Sequence, residues 1–149
     1  MISLKKKASQ GFTIIELLIV IVVIGILAAL VITTYNGIQQ KARDTERKTD
    51  INAVQGQVEA YQAENGMYPT LANMNDSAWR TTNLKGLDPA ALADPNNAGS
   101  QQLCSTAQTN CYAYEVSPSG CDNSATDCTS YKLIATLESG GTYEKDSLN

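Results

Sequence analysis

The chain has 149 residues, 15 acidic against 11 basic and no histidine, for a net charge of −4. That length holds one domain and an anchor rather than two full domains. The acid excess argues against a general phosphate-backbone binder, and the missing histidine removes the commonest general base and a frequent metal ligand.

The apolar residues crowd towards one end. Residues 12–32 contain sixteen Leu, Ile, Val or Phe and a single charge, Glu16, whereas residues 33–149 are rich in Asn, Ser, Thr and Gly. As a helix, this segment would span about 31 Å at ~1.5 Å per residue, against a hydrocarbon core of about 30 Å. Its apolar side chains supply roughly −5 to −10 kcal/mol on the insertion scale, and one carboxylate opposes this by at most ~3 kcal/mol. Insertion wins. Lys5, Lys6 and Lys7 precede the run, so the positive-inside rule keeps the amino terminus in the cytoplasm and places residues 33–149 outside. A cleavable secretory signal would have a shorter apolar run and no acid within it. A plain signal-anchor explains the lysines and the run, but neither Gly11-Phe12 nor Glu16. A carboxylate in hydrocarbon is costly alone and tolerable when paired, so Glu16 calls for a cation outside its own helix.

Beyond the apolar run the pattern turns amphipathic. Ile38, Ala42, Ile51, Val54, Val58 and Tyr61 recur at helical spacing. Charges of both signs alternate between Lys41 and Asp50, which reads as a solvated helix face in preference to a surface for pairing between subunits. No proline precedes Pro69, and Asn65-Gly66 is a helix stop, so one helix is expected from about Phe12 to Glu64. Residues 71–110 hold many turn formers and read as a long loop region with a short helix near Pro89–Ala93. The sequence Asn75-Asp76-Ser77 within it is a glycosylation sequon. Strands are expected at 112–116 and 131–137, and Ser139-Gly140-Gly141 can turn the chain into a third at 142–144. The expected fold is α+β: a long amino-terminal helix whose amphipathic half carries a small antiparallel sheet, burying Ala53, Val54, Val58 and Tyr61.

Four cysteines fall in two pairs with six residues inside each, Cys104 with Cys111 and Cys121 with Cys128. In an exported domain an even count reads as disulfides. Of the three possible pairings, local closure of each pair is expected, the second pinning the loop between the strands. CxxC units and histidines are both missing, so no ordinary zinc site is expected. Asp122, Asn123 and Asp127 lie in the second cysteine loop, where the spacing is not that of an EF-hand and an exposed polar loop is the preferred reading over a weak calcium site.

Lys5–Lys7, Gly11, Phe12 and Glu16 together resemble the amino-terminal signature of the type IV pilin family, which includes the secretion pseudopilins. The stretch from Tyr61 to Thr70 is similar to the helix exit of pseudopilins and many Gram-positive pilins. The resemblance covers residues 1 to about 70 well and the remainder loosely. It implies a leader, 1–11, cut after Gly11 by a prepilin peptidase; N-methylation of Phe12; an anchor and filament-core helix, 12–37; and a globular head, 38–149. It implies that Glu16 pairs with a terminal amine during assembly. Loss of the leader would leave 8 basic against 15 acidic residues. Many pilins carry a proline near the position of Ile32-Thr33-Thr34, and this chain has none there. The implied partners are copies of itself, the peptidase, a pilus assembly ATPase, a membrane platform protein, the cytoplasmic membrane before assembly, and a host or partner cell surface afterwards. No cofactor and no specific nucleic-acid binding are implied.

Three functions compete. The leading one is a structural subunit of a type IV pilus, serving motility, adhesion or DNA uptake. Second is a pseudopilin of a type II secretion or competence machine, which the helix exit suits. Third is an anchored enzyme, for which no nucleophile, phosphate loop or metal-ligand motif is present in the sequence.

Overall fold

The computed structural model describes residues 11–149, which form helix α1 (Ile14–Asn65), α2 (Leu71–Asn75), α3 (Ser77–Asn83), 3-10 turns at Pro89–Leu92 and Pro95–Asn97, and strands β1 (Ala113–Ser117), β2 (Ser130–Thr136) and β3 (Thr142–Asp146). The chain divides into two compact units, Met1–Ile38 and Gln39–Asn149. In the first, every described side chain from Phe12 to Ile38 is exposed. The second contains the core.

There the strands make one antiparallel sheet in the order β1-β2-β3, with Glu115 opposite Lys132 and Ile134 opposite Glu144. The Gly140 and Gly141 backbones, at φ +99 and +79, let the chain reverse between β2 and β3. Helix α1 contributes Ile51, Val54 and Val58 to the core, three and four residues apart on one face, each worth roughly 1.5–3 kcal/mol when fully buried. They meet Tyr68, Met74, Leu92, Tyr112, Tyr114, Tyr131 and Leu133. The α1 carbonyls run out at Asn65, and Gly66 adopts the left-handed conformation (φ +79) that ends a helix cheaply only without a Cβ. Tyrosine hydroxyls tie the layers: Tyr112 donates to Asp50 at 2.7 Å, Tyr131 to Glu59 at 2.7 Å, and Tyr143 to Asn52 at 3.1 Å.

The α+β architecture follows the sequence, but four details differ. Ala53 is exposed, because a residue adjacent to Val54 is turned about 100° away from the buried stripe. Ala42 and Ile38 are exposed too. The face that continues the stripe below Ile51 carries Arg47 and Asp44, both buried, so the block from Lys41 to Asp50 is not a solvated face throughout. Finally, residues 71–83 are helical rather than loop. Thr70 and Asn73 form a reciprocal capping box, and Asp76 accepts from the amides of Ala78 and Trp79 to start α3. Asn75 is no free glycosylation acceptor, since its amide donates to the Leu103 carbonyl at 2.9 Å and accepts from the Leu103 amide at 2.8 Å.

Arg47 explains why two acids leave the surface. Its guanidinium grips Asp94 with two hydrogen bonds of 2.7 and 2.9 Å and reaches Asp44 and Glu138 at 2.9 and 3.0 Å. Arg43 adds a second two-bond grip on Glu138, and Asp44 accepts from the Glu138 and Ser139 amides. One helix face thereby holds both the Asp94 turn and the β2–β3 hairpin. Removing Arg47 would strand buried carboxylates, so Arg47→Ala should cost about 3–5 kcal/mol, read as a lower midpoint for thermal unfolding of the detergent-solubilised chain by circular dichroism.

The same network sets a pH response. The Arg43 guanidinium holds the Glu138 carboxyl down to about 2, from an ordinary 4.5. Burial raises Asp44, but hydrogen bonds from Ser139, the Glu138 amide and Arg47 bring it below its usual range. A depressed carboxyl stabilises fully above its unfolded pKa and loses that contribution as pH falls through the folded one. Asp50, raised chiefly by burial, acts in the opposite sense. Thermal midpoints should therefore fall as pH drops from about 4.5 towards 2, and Glu138→Gln should flatten that fall. An unchanged pH profile in the variant would count against the network.

Candidate functional site

The amino-terminal motif sits where α1 begins. Residues 11–13 are extended and exposed, and helix starts at Ile14. Thr13 is the reason. Its hydroxyl donates to a Glu16 carboxylate oxygen at 2.6 Å, its amide donates to the same oxygen at 2.8 Å, and the Glu16 amide returns a bond to its hydroxyl at 3.3 Å. This is a capping box, threonine followed three residues later by glutamate, which satisfies amides that the first turn leaves open. Sequence reading missed it, although Thr-x-x-Glu ahead of an apolar run was the available signal. Its neutral donors orient the carboxylate without cancelling its charge. No cation lies within ion-pair distance of Glu16 among the described residues.

The surroundings of that anion are apolar. Phe12 is 90% exposed, and Ile14 through Ile32 present one continuous hydrocarbon surface. By length and composition the helix is fit to cross a membrane, with a mean hydropathy of 3.3 over its most apolar window. Soluble proteins rarely expose such a surface, so it requires lipid or other chains around it. At Gly11 an added Cβ would meet nothing within 4 Å, so the local structure makes no demand for glycine. Lys5–Lys7 lie outside the described residues. Thr34, near the position where pilin proline is missing, back-bonds to the Leu30 carbonyl at 3.1 Å.

The prokaryotic N-terminal methylation motif matches residues 6–32. Over 67 residues the chain is 37% identical to the type II secretion system core protein G of Aeromonas hydrophila, which covers 45% of this chain and 47% of that one. The corresponding protein of Escherichia coli K12 is 39% identical over 61 residues, covering 41% and 42%. The type IV major pilin PilA of Myxococcus xanthus is 37% identical over 85 residues, covering 57% of this chain and 39% of the pilin. Over its amino-terminal part the chain is similar to type IV pilins and type II secretion pseudopilins. It spans less than half the length of these relatives, and no solved structure matches it.

In this pilin-like chain the carboxyl-terminal half carries two disulfides. Cys104 joins Cys111, with Cα atoms 6.1 Å apart, and Cys121 joins Cys128 at 5.2 Å. The first closes a loop whose Cys104 backbone pairs with β1, accepting from Tyr114 and donating to Tyr112. The second closes the β1–β2 loop and ties it to the helix exit: the Tyr68 amide donates to the Cys128 carbonyl, and Asn123 donates to the Tyr68 carbonyl. Asp122 is occupied within the loop, its carboxylate accepting from the amides of Ser124, Ala125 and Thr126, which hold its pKa below the usual range. Asn123 accepts from the Cys128 amide. Among the described residues no cluster of three acids or cysteines is arranged to hold a metal. Closing each loop removes chain entropy worth about 2–3 kcal/mol. Reduction of both bonds should therefore lower the unfolding midpoint measurably in denaturant; an unchanged midpoint would mean that the loops are held without them.

Proposed function

We propose that this chain is a structural filament subunit of the type IV pilus kind, anchored in the cytoplasmic membrane until it polymerises. In this reading residues 1–11 are a leader removed after Gly11, Phe12 becomes the N-methylated terminus, residues 12–37 form the anchor and filament core, and residues 38–149 the head. The observation that carries it is the methylation motif on an apolar helix surface that the protomer leaves bare. A homopolymer solves both problems of that surface at once. Neighbouring helices replace lipid around the apolar side chains, and the new terminal amine of one copy supplies the cation that Glu16 of another lacks. Thr13 presents the carboxylate in advance, so pairing selects one axial register. The demand for glycine at Gly11 would come from the peptidase that reads it, since the chain itself has room for a side chain there. An assembly ATPase and a membrane platform protein would drive the polymerisation, and the finished fibre would meet a host or partner cell surface.

A second reading is a pseudopilin of a type II secretion machine. The relatives named as secretion core protein G favour it. The alignment with the Myxococcus xanthus pilin covers more of this chain and favours the first. Long surface fibres built of this chain would decide for the pilus; their absence alongside a protein-secretion defect in a deletion strain would decide for the pseudopilin.

Intact-mass analysis of sheared surface material tests the processing. The expected mass is that of residues 12–149 plus one methyl, less four hydrogens for two disulfides. A mass that includes residues 1–11 would overturn the reading. In the same strain Glu16→Ala should still insert and be cut, yet fibre yield should collapse; normal yield would refute the pairing role of Glu16.

A further inference from the structure

The second unit buries two arginines, and they are treated very differently. Arg47, 1% exposed, makes four hydrogen bonds to three carboxylates. Arg80 on α3 is 5% exposed and makes one side-chain hydrogen bond, from Nη1 to the Met74 carbonyl at 2.6 Å. No carboxylate lies within ion-pair distance of it among the described residues. Its Nε and Nη2 have no protein partner and are not sealed from solvent. A guanidinium is permanently charged and carries five donors in a planar fork, so burying it beside one neutral carbonyl leaves most of its bonding capacity unused.

The opening beside it has the matching character. Arg80 lines a recess of about 300 Å³ together with Lys85, Thr81, Gln101, Leu87 and Pro89, and no acid lines it. That volume is at the small end for ligand sites, which combine an apolar wall with a few convergent polar groups. Here the wall is Leu84, Leu87 and Pro89, and the polar groups are two cations, the hydroxyls of Ser77 and Thr81, and an amide. In a chain with an acid excess, such a recess would repel cations and draw a small anion. The fork geometry of arginine favours a carboxylate or phosphate, which takes two parallel hydrogen bonds.

We propose that the Arg80–Lys85 recess is a binding site for a small oxyanion, a carboxylate or phosphate on a compact and partly apolar molecule. The proposal does not depend on the filament reading. Arg80 is the principal ligand through its unused donors, Lys85 adds charge at the mouth, and the Ser77 hydroxyl and Gln101 amide complete the hydrogen bonds, the Thr81 proton being held by the Ser77 carbonyl. Whole-chain protein in uncharged detergent micelles, labelled with nitrogen-15 arginine, can be titrated with inorganic phosphate and separately with benzoate. Chloride at equal ionic strength is the control. A saturable shift of the Arg80 Nε–H signal by either probe, absent with chloride, is the expected result. The stronger probe tells phosphate from carboxylate. Arg80→Lys should weaken that binding by about tenfold or more, because it removes the two-bond fork, and Lys85→Gln by a few-fold. Lys85→Gln changes an exposed residue, so it reads the site even if Arg80→Lys fails to fold. Shifts that match chloride for both probes, or affinity unaltered by Lys85→Gln, would overturn the assignment.

Discussion

From Ile14 to Ile32 helix α1 presents exposed apolar side chains to its surroundings. That constraint governs everything else. Burying that much hydrocarbon is worth far more than the typical net stability of a domain, so the segment must lie in lipid or among other helices. Within it stands one carboxylate. Its hydrogen bonds to Thr13 satisfy geometry and not charge, since threonine donors are neutral. In the proposed filament a single anion on an apolar helix would set position: hydrophobic contact alone would accept many axial offsets, and one ion pair accepts few.

The second unit solves a different problem, that of holding a small core together. Its sheet has three strands of five to seven residues, and long stretches of its chain are irregular. The turns are therefore fastened individually. Arg47 and Arg43 hold the Asp94 turn and the Glu138 hairpin, the Cys121–Cys128 loop holds the helix exit through Tyr68, and Asn75 mimics a strand partner for Leu103. Buried ion pairs seldom add much net stability over apolar packing, but they penalise misplacement heavily. Their use at loop junctions fits a role in fixing where loops lie.

Much of this was legible from residue patterns. Length and composition mark the apolar helix, because period and hydropathy there agree over many residues. The strands were legible for the same reason: β-branched and aromatic residues between turn formers leave few alternatives. What patterning missed was polar. A charge reads as surface by default, and nothing local distinguishes Arg47 from Lys48 until Asp94 and Glu138 arrive from 47 and 91 residues away. The helices at 71–83 were hidden for a related reason. Their apolar content is low, and they stand on caps at Thr70 and Asp76, residues that equally announce turns. The capping role of Thr13 was readable in Thr-x-x-Glu, a pattern in which the same glutamate also reads as a lone charge in an apolar run.

In the proposed filament Glu16 is completed by another copy of the chain. Electron cryomicroscopy of filaments assembled from this protein, at a resolution that shows side chains, tests it most directly. The account requires the Glu16 carboxylate of each subunit to lie within about 4 Å of the Phe12 nitrogen of a neighbour. A filament in which Glu16 faces solvent, or touches only its own Thr13 while that nitrogen finds another partner, would contradict it.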